Sequence, residues 1–165
     1  DDPIVYPTCS KDMNFEPEVA VVMGRIAKNV SVENAMDYVL GFTCVNDVTL
    51  RDLQGIDPTW TRAKGFDTSC PLGPWIVMRD DLNWKDAEIS FTLNGEDVPM
   101  ASGTTANLIH GIPEQIAAIS SFSTLLPGDV IMTGTPNASG HLDPGDETIV
   151  HVEGIGDLRN VIVRA

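Results

Sequence analysis

Basic residues are scarce in this chain: ten Lys and Arg stand against 24 Asp and Glu, for a formal net charge of −14. No basic stripe occurs along it, which argues against recognition of a nucleic-acid backbone. A negative surface does not exclude small anionic substrates, because a bound cation inverts the local field. Cysteine is equally sparse. Cys9, Cys44 and Cys70 are odd in number, widely spaced and without a CxxC pair, so neither a disulfide framework nor a zinc knuckle is indicated. That usage fits a reducing compartment, and a cytoplasmic location is expected. No apolar run approaches a membrane span and no signal peptide is visible, so no membrane partner is expected. Internal repeats, low-complexity tracts and linkers are absent too. The first residue is Asp1 and not a methionine, and the polypeptide is expected to extend upstream.

The remaining composition is that of a globular protein, with 42% hydrophobic and 21% charged residues in 165. That length suits one domain, residues 1–165, able to bury a core without staples. "VAVVMG" (19–24) reads as a buried strand ending at Gly24. "SVENAMDYVLG" (31–41) predicts a helix: Ser31 suits an N-cap, Gly41 a C′ position, and Val32, Ala35, Met36 and Val39 recur at helical spacing. "EISFTLNGE" (88–96) alternates Ile89, Phe91 and Leu93 with polar residues, then turns at Asn94-Gly95, a strong hairpin signal. In "NLIHGIPEQIAAISS" (107–121), Pro113 opens a helix at its first turn. A turn and strand follow in 126–134, and further strands in 147–154 and 159–163. The expected class is α+β and β-rich, a sheet or roll with a few packed helices.

Chemistry concentrates in two acidic stretches. In "NFEPEVAVVMG" (14–24), Glu16 and Glu18 are one residue apart, so on a strand both point to one face. Like charges so placed repel, and something must neutralise them. In "GFTCVNDVTLRDLQ" (41–54), Asp47 stands where a strand is expected to end. Taken alone, each has a plain structural reading: a solvent-facing strand edge marked by Pro17, and an N-cap Asp47 with an Arg51–Asp52 surface pair. Together, three oxygen-donor acids are what a hard divalent cation needs. Mg²⁺ takes oxygen ligands at roughly 2.0–2.1 Å and leaves sites for water or substrate. Such a cation would also cancel the repulsion between the glutamates.

Six stretches in order, "FEPEVAVVMGR", "GFTCVNDVTLRDLQ", "WTRAKGFDTSCPLGPWIV", "LNGE", "LLPGDVIMTGTP" and "VEGIGDLRN", give the chain its resemblance to the fumarylacetoacetate hydrolase family. Members of that family are metal-dependent enzymes of 2-oxo and 2-hydroxy-enoic acids. The resemblance implies a mixed β-sheet roll with flanking helices, assembled as a homodimer. It implies Glu16, Glu18 and Asp47 as ligands of Mg²⁺, with Mn²⁺ or Ca²⁺ as alternatives, and it places Lys64 and Thr68 beside the metal. Lys64 can balance carboxylate charge and stabilise an enolate oxygen; otherwise it reads as a solvated surface amine. Gln54 and Thr135 match substrate-contacting positions, Thr135 equally suiting turn chemistry in its Gly/Pro loop. Arg51 can pair with a substrate carboxylate or with an internal partner such as Asp52.

The chain departs from the family in two places. The Gly-Val-Gly run that follows "TGTP" in many members is "NASG" (137–140) here, which bears on substrate preference. A family lid ahead of "DPIVYP" supplies a water-activating histidine, and no residue here matches it. His110 reads as a structural histidine on an apolar helix face with Glu114 one turn on, His151 alternates within a strand, and His141 falls in a loop; none is assigned as the base. The expected substrate is a small 2-oxo or diketo acid, and the leading reaction is hydrolysis of an acylpyruvate-type C–C bond. Isomerisation of 2-hydroxy-dienoates, decarboxylation of oxaloacetate-like acids, and tautomerase or hydratase chemistry are the alternatives. A non-catalytic metal- or ligand-binding subunit is another.

Overall fold

Every residue from Pro17 to Met23 is buried, as the run of small and β-branched apolar side chains requires of a strand covered on both faces. This central strand organises the computed structural model, which describes residues 2–165. Among the described residues the strands are, in order, β1 (Ile4–Tyr6), β2 (Met13–Phe15), β3 (Pro17–Met23), β4 (Val39–Asn46), β5 (Thr49–Leu50) and β6 (Leu72–Met78). They continue with β7 (Glu88–Leu93), β8 (Glu96–Asp97), β9 (Gly103–Thr104), β10 (Val130–Met132), β11 (Gly140–Leu142), β12 (Glu147–Val152) and β13 (Gly156–Arg164). Three α-helices accompany them: α1 (Arg51–Gln54), α2 (Thr61–Lys64) and α3 (Ile112–Phe122).

The strands form three sheets. One has the order β10-β3-β4-β6 and is antiparallel throughout. The second runs β1-β13-β12-β7-β8, with β9 also on β7, and only β1 pairs parallel to its neighbour. The third is a small antiparallel sheet, β11-β2-β5. One apolar core joins them, with Phe15 of β2 stacked on Phe91 of β7 at a centroid distance of 4.1 Å. The architecture is the β-rich α+β class expected, with several sheets, one of them mixed, and few helices.

The hairpin at Asn94-Gly95 forms as its residues demand: both have positive φ, 54° and 82°, and β7 pairs with β8 across the turn. Pro113 lies in the first turn of α3, where its missing N–H costs nothing. The predicted helix at 31–41 is shorter and tighter. It is a 3₁₀ turn over Val32–Tyr38, Ser31 makes no side-chain cap, and Val39–Gly41 already belong to β4. Gly41 therefore ends no helix. A Cβ on it would sit 2.1 Å from the Val77 carbonyl oxygen of β6, so glycine here permits close strand approach.

Candidate active site

The two acidic stretches meet where β3 begins and β4 ends. Glu16 occupies the junction between β2 and β3, and Glu18 lies inside β3 opposite Val45 of β4. Backbone bonds pin the junction: the Glu16 N–H donates to Asn46 Oδ1 at 2.9 Å, and the Asp47 N–H donates to the Glu16 carbonyl at 2.9 Å. Carboxylate oxygens of Glu16, Glu18 and Asp47 thereby come within 4.8 Å of one another. Glu18 and Asp47 are buried, at 3% and 6% exposure. Three acids this close and this dry cannot all ionise without cations nearby.

Lys64 supplies one. Placed by the short helix α2, its ammonium donates to Glu16 Oε2 at 2.8 Å, to Thr49 Oγ1 at 3.0 Å, and to Asp47 Oδ2. Arg51 of α1 supplies a second, donating to Glu16 Oε1, to Gln54 Oε1 at 2.7 Å and to Ser139 Oγ at 2.6 Å. The charges divide unevenly. Burial alone would raise Glu16, but the hydrogen bonds and charges of Lys64 and Arg51 outweigh it and hold its pKa below the usual carboxylate range. Burial pushes Asp47 up despite Lys64. Burial takes Glu18 furthest, to about 7; the charges of Asp47 and Glu16 add to this, and the Gly134 N–H at 2.8 Å offsets part of it. Burial would lower Lys64, but bonds to Asp47 and Glu16 keep it raised and cationic.

These groups line an open cleft of about 570 Å³. Seven of the eight residues singled out from sequence face it: Glu16, Glu18, Asp47, Arg51, Gln54, Lys64 and Thr135. Thr68 does not. It adopts a left-handed backbone, φ 68°, and its hydroxyl accepts from the Val5 N–H at 2.8 Å, so it ties β1 to the loop after α2. Asp52 is not the partner of Arg51; its carboxylate accepts from Ser10 Oγ and the Lys11 N–H, because the helical turn of α1 sends the two side chains apart. Thr49 and Ser139 were not singled out. Thr49 stands two residues from Asp47, a period-two signal, whereas nothing local in "NASG" marks Ser139 as a partner of Arg51.

Two of the three histidines differ from expectation, whereas His151 lies in a strand as its alternation implies. His110 precedes α3 and is exposed, because Gly111 and Pro113 start the helix after it. His141 lies in β11, 3.1 Å from Asp12, and His151 of β12 pairs with Asp157 at 2.6 Å. All three cysteines are unpaired. No helix among the described residues is long and apolar enough to cross a membrane.

The family model for the fumarylacetoacetate (FAA) hydrolase C-terminal domain matches residues 1–163, and the chain belongs to the fumarylacetoacetate hydrolase family. An uncharacterised protein of Archaeoglobus fulgidus is 46% identical over 99% of this chain and 64% of its own length. The structure of 2-hydroxyhepta-2,4-diene-1,7-dioate isomerase from Mycobacterium marinum is 43% identical over 99% of this chain and 64% of that one, with a TM-score of 0.92. Fumarylpyruvate hydrolase from Pseudomonas aeruginosa, solved with Mn²⁺ and pyruvate, is 27% identical over 99% of this chain and 71% of that one, with a TM-score of 0.91. The chain thus spans about two thirds of the length of these relatives.

Proposed function

We propose that residues 1–165 form the catalytic domain of a divalent-cation-dependent enzyme that generates an enolate from a small 2-oxo or 2,4-diketo acid. C–C hydrolysis of an acylpyruvate-type acid is the first reading. The observation that carries the proposal is the convergence of Glu16, Glu18 and Asp47 beside Lys64. The residues fit a hard cation by an independent sign: Asp47 Oδ1 is buried with no hydrogen-bond partner among the described residues, an expensive state for a carboxylate oxygen. An all-oxygen donor set suits Mg²⁺, Mn²⁺ or Ca²⁺.

A divalent cation held by these three acids would supply Lewis-acid polarisation of the 2-oxo group. The chain's own groups do the rest. Lys64 keeps positive charge where the enolate oxygen develops. Arg51 takes the Gln54 carbonyl oxygen, which leaves the Gln54 amide N–H groups to donate to substrate. Thr135 Oγ1 lies 3.5 Å from Glu18 Oε1, a contact long enough to leave its hydroxyl for a substrate carboxylate.

Isomerisation of a 2-hydroxy-dienoate is the second reading. It is supported by the identity to the isomerase, 43% against 27% for the hydrolase. Both reactions develop negative charge on the 2-oxygen, as an enolate in hydrolysis and as an extended dienolate in isomerisation. The test is calorimetric titration with Mn²⁺ and a turnover screen over 2-oxo acids with and without chelator and oxalate. Glu18→Gln is expected to weaken Mn²⁺ binding by tenfold or more, and oxalate to inhibit competitively with the 2-oxo acid. Turnover indifferent to both chelator and oxalate would overturn the proposal.

A further inference from the structure

Asn46, the last residue of β4, is wholly buried, at 0% exposure. Its partner across the sheet is Pro17, which has no N–H to give to the ladder. The Asn46 side chain carries the pairing one residue further. Its Oδ1 accepts the Glu16 N–H at 2.9 Å, while the Asp47 N–H donates to the Glu16 carbonyl at 2.9 Å. Both polar groups of the Glu16 backbone are therefore held by residues 46 and 47. The Asn46 backbone is committed elsewhere. Its carbonyl accepts the Val48 N–H at 2.9 Å, closing a tight turn centred on Asp47, and its N–H donates to the Pro71 carbonyl at 3.4 Å. One residue thus fixes Glu16 with its side chain and begins the turn that carries Asp47.

The choice of side chain has a physical reason. Aspartate and asparagine place an acceptor at the same reach, but aspartate would add a fourth carboxylate beside Glu16, Glu18 and Asp47. Asparagine accepts without adding charge. Its drawback is visible: Asn46 Nδ2 is buried with no hydrogen-bond partner among the described residues, an uncommon state for an amide. An apolar side chain of the same branched shape would avoid that orphan and lose the hold on Glu16.

We infer that Asn46 is a positioning residue that sets the spacing of the Glu16 and Asp47 carboxylates and so selects a small octahedral cation over Ca²⁺. The inference rests on the divalent-cation reading and deepens it: the ion is Mg²⁺ or Mn²⁺. Mg²⁺ tolerates little departure from octahedral geometry at roughly 2.0–2.1 Å, whereas Ca²⁺ accepts irregular contacts at roughly 2.3–2.6 Å. Mn²⁺ shares the octahedral all-oxygen preference. Selectivity between the two kinds of ion follows from how rigidly the ligands are held. Two bonds on the backbone of Glu16 and a closed turn at Asp47 make this corner rigid.

Calorimetric titration of chelator-stripped protein with Mn²⁺ and with Ca²⁺ reads the ratio of the two affinities. Wild type is expected to prefer Mn²⁺. Asn46→Leu keeps the branched shape and loses the acceptor, and its ratio is expected to fall about tenfold, the worth of one buried hydrogen bond. Should that variant fail to melt cooperatively, Asn46→Ser, whose oxygen stops one bond short, is expected to give the same fall. Asn46→Asp restores the acceptor without the amide N–H groups and is expected to keep the wild-type ratio. A general loss of stability would weaken both ions alike and leave the ratio unmoved. A wild-type preference for Ca²⁺, a ratio unchanged in the folded Leu or Ser variant, or a ratio lost equally in Asn46→Asp overturns the assignment. Mn²⁺ binding by wild type leaves the divalent-cation reading standing in those cases. Failure of wild type to bind either ion overturns that reading and this inference with it.

Discussion

Glu16 and Glu18 sit one residue apart, yet their environments drive them in opposite directions. Glu16 is claimed by two cations, whereas Glu18 has a backbone N–H and two acidic neighbours. Its pKa rises from 4.5 to about 7 on folding, so across that window the folded chain holds a proton the unfolded chain has released. Stability from this group is complete below pH 4.5 and is lost as pH rises to about 7, at a cost of about 3 kcal/mol. Glu18→Gln, isosteric and uncharged, should unfold at a higher temperature than wild type at pH 8 in chelator, and nearly with it at pH 4.5. Parallel melting profiles from pH 4.5 to 8 would contradict that environment for Glu18. Lys64 poses a different question, because its charge serves both the resting acids and a developing enolate. Lys64→Met is expected to lower kcat by at least tenfold while Mn²⁺ affinity changes less, since transition-state contacts weigh most on turnover. Normal turnover in that variant would remove the lysine from the chemistry.

At the scale of elements, the site depends on two strands meeting at a corner, and their approach depends on what flanks them. β4 runs between β3 and β6, and at Gly41 an added Cβ would run into the β6 backbone. A methyl group there meets backbone, which yields less readily than a side chain. Gly41→Ala should cost about 1–3 kcal/mol by forcing β4 and β6 apart, read as a lower midpoint in urea with an unchanged slope. A midpoint equal to wild type would show that the strands can separate freely. The same strand explains why residues 32–38 form only a 3₁₀ turn. The backbone must be extended by Val39 to enter the sheet, and sheet pairing outweighs the helical spacing of the apolar side chains.

At the scale of the molecule, β6 is the edge of its sheet and its apolar residues are uncovered. Trp75 is 62% exposed, Met78 51%, Ile76 46% and Leu72 44%. An edge strand this apolar is an association surface unless something covers it. We propose that a second copy of the chain does so, making the protein a homodimer. Light scattering on the eluted protein should give twice the chain mass of 17.8 kDa, and Trp75→Lys should shift the equilibrium toward monomer. A monomer at all concentrations would place another partner, or none, on this edge.

Much of this protein is readable along the chain because the relevant physics is local. Alternation in "EISFTL", the positive-φ pair Asn94-Gly95 and the proline opening α3 each act within a few residues. The three acids were readable too, since period two and a strand end are local geometry, and their mutual repulsion calls for a cation whatever the fold. Partner choice was not readable. Arg51 takes Glu16, 35 residues away, and Ser139, 88 away, in preference to its neighbour Asp52. Thr68 matches a site motif yet turns to Val5 of β1. Gly41 resembles a helix stop and is a strand contact. His110 resembles a core residue and lies exposed ahead of α3. In each case a local pattern allows several partners of similar worth, and only the packing of distant strands decides which one is within reach.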